Sequence, residues 1–278
     1  MIRRSIKKIV GGQVQYDGAG VKLVRVFGRP DAEDFDPFLL LDAFDSEDDQ
    51  DYIKGFPWHP HRGIETVTYL IKGDIEHQDS LGNKGSILDG SCQWMTAGSG
   101  IIHQEMPQSS EHMLGAQLWV NLPQKDKMTE PAYRDIENEM VPEVEEDNAT
   151  VRILSGHYKG TKGAIEGTYV KTLYLDVALK GKESWEIDVD PQHTIFIYLV
   201  SGSVRLDDSS TIVPSHRAVL FTKGDKVKIE PQEEGVRLLF VGGKPLNEKI
   251  SWGGPIVMNT REELALAFRE LEEGTFIK

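Results

Sequence analysis

Residues 55–65 read Gly-Phe-Pro-Trp-His-Pro-His-Arg-Gly-Ile-Glu and carry the densest chemical signal in the chain. Alternate residues of an extended strand face the same side, so a strand here directs His59 and His61 into one interior. Two histidines at this spacing also occur on surfaces and in cores that hold no metal. The interpretation as a metal-binding pair therefore depends on what surrounds it.

A second segment repeats the spacing. Residues 98–105 read Gly-Ser-Gly-Ile-Ile-His-Gln-Glu, so that His103 and Glu105 lie two residues apart behind a glycine turn. Taken alone this pair is weak, because the glutamate of such a pair often faces solvent. Two strands that each offer two ligands can close three imidazoles and one carboxylate around one ion. We therefore predict a metal site formed by His59, His61, His103 and Glu105.

The donor types narrow the choice of metal. Mixed imidazole and carboxylate ligation suits iron, manganese, zinc, copper or nickel, and it does not suit a calcium cage. Four protein ligands fill a tetrahedral zinc ion but leave two open positions on an octahedral metal. The expected cofactor is therefore Fe(II), with Mn, Ni, Cu and Zn as the other divalent metals to consider.

The rest of the chain has the pattern of an all-β protein. Short apolar runs end at glycine, proline or charged turn residues, which is typical of a sandwich or barrel. Clear examples are residues 67–71, 116–122, 172–177, 194–200 and 236–241.

One helix is expected, close to the C-terminus. The run Thr-Arg-Glu-Glu at 260–263 has the pattern of a capping box. Leu264, Phe268 and Leu271 then share one face, which is expected to pack on a barrel. Gly274 stands where a C-terminal cap belongs.

The length of 278 residues suggests two domains at roughly 150 residues each. An acidic stretch with a proline, residues 137–147, is the expected linker between an N-terminal domain at 1–136 and a C-terminal domain at 148–278. Residues 70–75 and 199–204 share a strand, a glycine turn and a second strand. This likeness hints at a duplicated β domain.

Charge and composition exclude several function classes. There are 31 basic and 45 acidic side chains, a net charge of −14, so direct nucleic-acid binding is not expected. No apolar run approaches the roughly 18 residues of a membrane span. The single cysteine, Cys92, is interpreted as a packing residue and fits a reducing compartment. A cytoplasmic protein is the expectation.

Three long segments and the chain's end resemble the pirin family, whose members are bicupins of the cupin superfamily. The segments are residues 56–69, 93–105, 117–123 and 253–260. The resemblance implies two tandem cupin domains, which are jelly-roll β-barrels, followed by a short C-terminal helix. It also implies iron in the N-terminal cupin, held at His59, His61, His103 and Glu105.

The resemblance implies different roles for Glu65 and Glu105. In many other cupins the glutamate after the two histidines is the carboxylate ligand, and its counterpart here is Glu65. In the pirin pattern Glu105 takes that part, which leaves Glu65 as a group that orients a ligand imidazole. Spacing alone does not decide, because 59, 61 and 65 face the same way on a regular strand.

Other histidines carry no such pattern. His157, His193 and His216 lack a paired ligand, so the C-terminal cupin is expected to be degenerate and metal-free. His77 and His112 are expected in loops or on the surface.

The resemblance implies quercetin 2,3-dioxygenase activity, in which a flavonol and dioxygen are the substrates and Glu105 is the general base. An apolar wall is expected from Phe56, Trp58, Met95, Met106 and Met113. The alternative is an iron-binding redox sensor without enzymatic activity. Such a sensor would act as a transcriptional or metabolic co-regulator through contacts with a protein partner.

Overall fold

A computed structural model describes residues 2–206 and 210–278. The strands of the first half are β1 (Ile6–Val10), β2 (Gln13–Asp17), β3 (Val21–Phe27), β4 (Phe38–Ser46), β5 (Phe56–His61), β6 (Ile64–Lys72), β7 (Ile75–Asp79), β8 (Lys84–Ile87), β9 (Cys92–Thr96), β10 (Ile101–Pro107), β11 (Met113–Asn121) and β12 (Ala132–Ile136). Those of the second half are β13 (Glu143–Glu145), β14 (Ala149–Ser155), β15 (His157–Tyr158), β16 (Thr161–Lys162), β17 (Thr172–Leu179), β18 (Trp185–Asp188), β19 (Thr194–Ser201), β20 (Ser203–Arg205), β21 (Val213–Pro214), β22 (Ala218–Phe221), β23 (Lys226–Pro231), β24 (Val236–Gly243), β25 (Ser251–Gly253) and β26 (Ile256–Met258). The α-helices are α1 (Ala32–Phe35) and α2 (Arg261–Glu272), and short 3-10 helices cover Arg29–Asp31, Asp49–Asp51, Gln124–Asp126 and Asn138–Met140.

Within the described ranges, no helix has the length and apolar character needed to cross a membrane.

The chain forms two compact units. The first unit comprises residues 13–32, 38–138 and 246–278, and the second comprises residues 2–12, 33–37, 139–206 and 210–245. Both are built from antiparallel strands with short turns, which is the architecture predicted from the alternating apolar runs.

In the first unit a large sheet has the order β12-β9-β6-β11-β4-β3-β2, and a smaller one has the order β5-β10-β7-β8. In the large sheet, β6 and β9 are buried along almost their whole length. The smaller sheet alternates, with every second residue of β7 and β10 buried. This alternation directs one face of the smaller sheet to the interior.

The second unit repeats the plan strand by strand. Its large sheet has the order β1-β22-β19-β24-β17-β14-β13, and its small sheet has the order β18-β23-β20-β21. The turns after β6 and β19 each use a glycine with positive φ, at Gly73 and Gly202. The predicted all-β fold with two tandem cupin domains and a C-terminal helix is confirmed.

The compact units differ from the simple division at residues 137–147. Strand β1 pairs with β22, which places the N-terminal segment in the second unit, and residues 246–278 belong to the first unit. The acidic stretch also contains a strand, since β13 pairs with β14 and Val144 packs against the second core. A single apolar residue among acidic ones is enough to hold a short edge strand.

Helix α2 begins as the sequence predicts. The Thr260 hydroxyl accepts from the Glu263 N–H, and the Glu263 carboxylate accepts from the Thr260 N–H. Gly274 has a φ of 71°, the conformation of a C-terminal cap. The buried face is centred on Ala267 instead of Phe268, which is 37% exposed and lies over Gly253.

Loss of the N-cap should destabilise the first unit. We expect Thr260→Ala to lower the free energy of unfolding by about 1 kcal/mol, because the Glu263 N–H loses its acceptor. Urea unfolding followed by circular dichroism measures the change. Thr260→Ser keeps the hydroxyl and should unfold as the wild type does. Equal losses in both variants would show that the cap is not the cause.

Candidate metal centre

The antiparallel pairing of β5 with β10 brings three imidazoles together. His59 lies directly opposite His103, and His61 lies opposite Ile101. The ring centroids of His59 and His103 are 4.4 Å apart, and that of His61 is 4.9 Å from His59 and 5.1 Å from His103. One ring nitrogen from each histidine lies within 4.8 Å of the other two.

Glycine ends the first ligand strand. Gly63 has a φ of 77°, and a Cβ at this position would stand 2.0 Å from the Val257 carbonyl oxygen. Strand β5 therefore stops at His61, and β6 starts in the other sheet at Ile64. The turn keeps both histidines of β5 on the interior face of the smaller sheet.

Backbone carbonyls set the tautomers of the two β5 histidines. The Pro57 oxygen lies 2.9 Å from His59 Nδ1, and the Pro255 oxygen lies 3.3 Å from His61 Nδ1. A carbonyl only accepts, so each Nδ1 carries the proton. Each Nε2 consequently keeps its lone pair, as a metal ligand requires.

The inner nitrogens lack partners. Among the described residues, neither His61 Nε2 nor His103 Nε2 has a hydrogen-bond partner, and both side chains are 2% exposed. Burial, and then the neighbouring histidines, lower the pKa of both well below the usual value. They are neutral at pH 7, and a buried acceptor without a donor is costly. Three neutral imidazoles with inward lone pairs fit a divalent transition metal.

Glu105, the fourth predicted ligand, lies at the next inward position of β10. Its Oε2 lies 3.9 Å from His103 Nε2. The carboxylate is buried and lies outside the group of three histidine nitrogens. Its Oε1 accepts from the Thr68 hydroxyl at 3.2 Å, and the Gln117 amide donates to both oxygens at 3.0 and 3.1 Å.

A tryptophan orients that amide. The Trp119 indole N–H donates to the Gln117 Oε1 at 3.1 Å, so the amide nitrogen has to face Glu105. The Trp119 ring also packs edge-on against His61, with centroids 5.1 Å apart. No sequence motif singles out Gln117 or Trp119 as a site residue, although residues two apart on a strand share one face.

Glu65 lies elsewhere, in β6 of the large sheet. Its Oε1 accepts from the Thr96 hydroxyl at 2.7 Å, and burial raises its pKa. Residue 65 would face the same way as His59 and His61 only on one unbroken strand, and the turn at Gly63 separates β5 from β6. The part of Glu65 in orienting an imidazole stays a prediction.

The location of His77 differs from the prediction. It was expected in a loop or on the surface, but it lies in β7, 5% exposed, with Glu105 as its cross-strand neighbour. Its Nε2 is 3.3 Å from a carboxylate oxygen of Asp135. Because β7 has polar residues at inward positions, its sequence lacks the alternation of apolar and polar residues that predicts a strand. His112 precedes β11 and contacts Asp45 at 2.7 Å, partly exposed, as expected of a loop residue.

The expected apolar wall is only partly near the histidines. The ring of Phe56 is 6.5 Å from that of His59, while Trp58 is 49% exposed. Met95 is buried in the apolar cluster that contains Trp119, and Met113 is buried in the cluster against which Phe56 packs. Aromatic rings at Phe56 and Trp119 therefore flank the histidine cluster from different strands.

The second unit carries apolar residues where the first has ligands. In β18 and β23 the inward cross-strand pairs are Trp185 with Ile229 and Ile187 with Val227. All four are buried in one apolar cluster. The same strand pair in the first unit carries His59 opposite His103. The absence of a metal from the second unit stays a prediction.

Comparisons with known proteins cover the whole length. The model of the family described as Pirin matches residues 20–120, and that of the Pirin C-terminal cupin domain matches residues 174–277. A pirin-like protein of Caulobacter vibrioides is 43% identical over 276 residues, 98% of this chain and 99% of the relative. Pirin of Homo sapiens is 39% identical over 267 residues, covering 94% and 90%. The crystal structure of quercetin 2,3-dioxygenase from Acinetobacter baumannii is 30% identical, with a TM-score of 0.90 and 99% of both chains covered.

Loss of the amide that holds Glu105 should weaken metal binding. Gln117→Leu keeps the volume but removes the amide hydrogen bonds to both carboxylate oxygens, so we expect affinity for a divalent metal to fall about 10- to 100-fold. Chelator competition measures the dissociation constant. Gln104→Leu, at the intervening outward position of β10, is the matched control and should bind as the wild type does. Unchanged affinity in Gln117→Leu would remove Gln117 from the site.

Proposed function

The chain belongs to the pirin family, and from this premise we propose that it is a metal-dependent dioxygenase that cleaves flavonols such as quercetin. The relative from Acinetobacter baumannii, named as a quercetin 2,3-dioxygenase, supports the substrate class. Its fold and length match this chain from end to end.

One observation carries the proposal. Three imidazoles converge inside the first unit, and the Nε2 atoms of His61 and His103 are buried without a hydrogen-bond partner. Most buried polar atoms of a structural core have a hydrogen-bond partner, and here two that lack one among the described residues lie beside a third imidazole nitrogen within 4.8 Å. His59, His61 and His103, with Glu105, are the residues that would hold the metal.

Iron is the metal that we propose. The nitrogen and oxygen donors match non-haem iron, and they also accept manganese, nickel or copper. A redox-active metal in this place supplies Lewis-acid polarisation of a flavonol hydroxyl and electron transfer to dioxygen.

The protein's own groups supply proton transfer and orientation. Glu105 Oε2 is the candidate base for the proton of the flavonol 3-hydroxyl, because Oε1 already accepts hydrogen bonds from Thr68 and Gln117. His59 is the least buried of the three histidines, so the substrate enters from its side. The rings of Phe56 and Trp119, next to His59 and His61, offer apolar edges to a planar aromatic ligand.

The first test is anaerobic reconstitution with ferrous iron, followed by oxygen uptake with quercetin. We expect uptake that requires quercetin in the wild type and none in His61→Ala, which loses one metal ligand. Metal content of each protein is measured in parallel. His112→Ala, a histidine outside the cluster, is the control and should retain both iron and uptake.

Two outcomes would contradict parts of this proposal. An iron-loaded wild type that takes up no oxygen with quercetin contradicts the dioxygenase and favours a redox sensor that acts through a protein partner. Full iron content in His61→Ala contradicts the ligand assignment.

A second test isolates the base. Glu105→Gln keeps the size and the acceptor oxygen but loses the basic carboxylate, so we expect the turnover rate to fall about 10²- to 10⁴-fold. Rates are compared per bound metal, which separates proton transfer from metal loss. Glu76→Gln, on the solvent side of neighbouring strand β7, should leave the rate unchanged. A normal rate per metal in Glu105→Gln would assign the base elsewhere.

A further inference from the structure

Arg62, the residue after the candidate ligand His61, is buried, and each of its three guanidinium nitrogens donates a hydrogen bond. Its Nε donates to the Ser99 carbonyl at 2.6 Å, its Nη1 to the Glu270 carboxylate at 2.6 Å and its Nη2 to the Phe276 carbonyl at 2.7 Å. The guanidinium carbon also stands 4.1 Å from the centre of the Phe276 ring. One side chain thereby connects three separate stretches of the chain.

Two of those stretches carry the candidate ligands. Arg62 continues directly from His61, and Ser99 lies in the turn that leads into β10 and His103. The Gly63 N–H donates to the Gly98 carbonyl at 2.9 Å, which adds a backbone bond between the same two stretches. The relative position of β5 and β10 therefore depends on contacts around Arg62.

The third stretch is the end of the chain. Glu270 lies in the last turn of α2, and its other oxygen accepts from Lys278 at 2.5 Å. Gly100 leaves room for Phe276, because a Cβ at Gly100 would lie 2.9 Å from the Phe276 carbonyl oxygen. Apolar residues of the chain end, Phe276 among them, also cluster with Ile102, the residue before His103.

The hairpin of β25 and β26, which precedes α2, contacts the candidate metal centre directly. Pro255, between β25 and β26, supplies the carbonyl oxygen 3.3 Å from His61 Nδ1. The buried ammonium of Lys127 donates to the carbonyls of Gly63 and Val257 at 2.8 and 2.9 Å, which ties β26 to the turn after His61. The C-terminal segment, residues 255–278, thus touches both strands that carry histidines.

We propose that Arg62 is a positioning residue, and that its pairing with Glu270 and Phe276 makes metal affinity depend on the C-terminal segment. The proposal rests on the metal centre described above and does not depend on the reaction performed there. A buried guanidinium that loses its carboxylate has to move or draw in water. Either change shifts His61 and the turn before His103, and metal ligands tolerate little displacement.

The test uses the full-length protein and Co(II), whose visible absorption reports the geometry of its ligands. We expect Glu270→Gln to weaken Co(II) binding about 10-fold and Arg62→Lys more strongly, each with an altered visible spectrum. Dissociation constants come from chelator competition. The unfolding midpoint of each metal-free protein is measured in parallel, so that lost stability is separated from lost affinity.

Arg237→Lys is the matched control, because Arg237 holds a two-point ion pair with buried Asp176 in the second unit. It should lower the unfolding midpoint while leaving the Co(II) dissociation constant and spectrum unchanged. The proposal would be overturned if Arg62→Lys and Glu270→Gln both had the visible spectrum of the wild type and bound Co(II) with a dissociation constant within twofold of the wild-type value. It would also be overturned if Arg237→Lys weakened Co(II) binding as much as Glu270→Gln does, because a general loss of stability would then be the cause.

Failure here is distinct from failure of the dioxygenase proposal. A wild type that binds Co(II), with iron-loaded protein inactive on quercetin, contradicts the dioxygenase and leaves the positioning role intact. Normal oxygen uptake with unchanged Co(II) binding in the variants contradicts the positioning role alone.

Discussion

The antiparallel register of β5 and β10 is the constraint on which the site depends. Residues directly opposite each other in such a pair have Cβ atoms about 5 Å apart, which suits His59 and His103 as ligands of one ion. A slip of one residue would turn both histidines of β5 to the outer face. The pairing shifts by one residue beyond His103, yet β10 keeps a regular register with β7 on its other edge. The inward positions of His103 and Glu105 are thereby preserved.

The second unit shows that the strand order alone does not create this chemistry. Its sheets repeat the order of the first, but Trp185 and Ile229 fill the place of the facing histidines. Apolar side chains at these positions are stabilised by burial itself, whereas buried imidazoles need partners. One architecture thus has two kinds of interior, and the candidate site depends on a few inward side chains of the first unit.

Local pattern was sufficient to predict most of the fold and the group of three histidines, because strand parity operates over neighbouring residues. The all-β architecture, the capping box at Thr260 and the cap at Gly274 all follow from short sequence windows. Contacts between distant residues did not follow. The carbonyl of Pro255 that faces His61 is 194 residues away in the chain. The buried position of His77 was missed because polar residues occupy an inward face, and the placement of Glu65 was missed because Gly63 ends the strand.

The two oxygens of Glu105 have different hydrogen-bond partners, and this difference bears on the two roles proposed for the carboxylate, metal ligand and base. Oε1 accepts from both Thr68 and Gln117, whereas Oε2 accepts from Gln117 alone and lies closer to the histidines. A carboxylate has about four lone-pair sites, so Oε2 retains capacity that Oε1 has largely used. Since Trp119 fixes the Gln117 amide, the carboxylate cannot exchange its oxygens without breaking hydrogen bonds. In the proposed reaction, metal ligation and proton transfer would therefore both fall to Oε2 and would compete for the same atom.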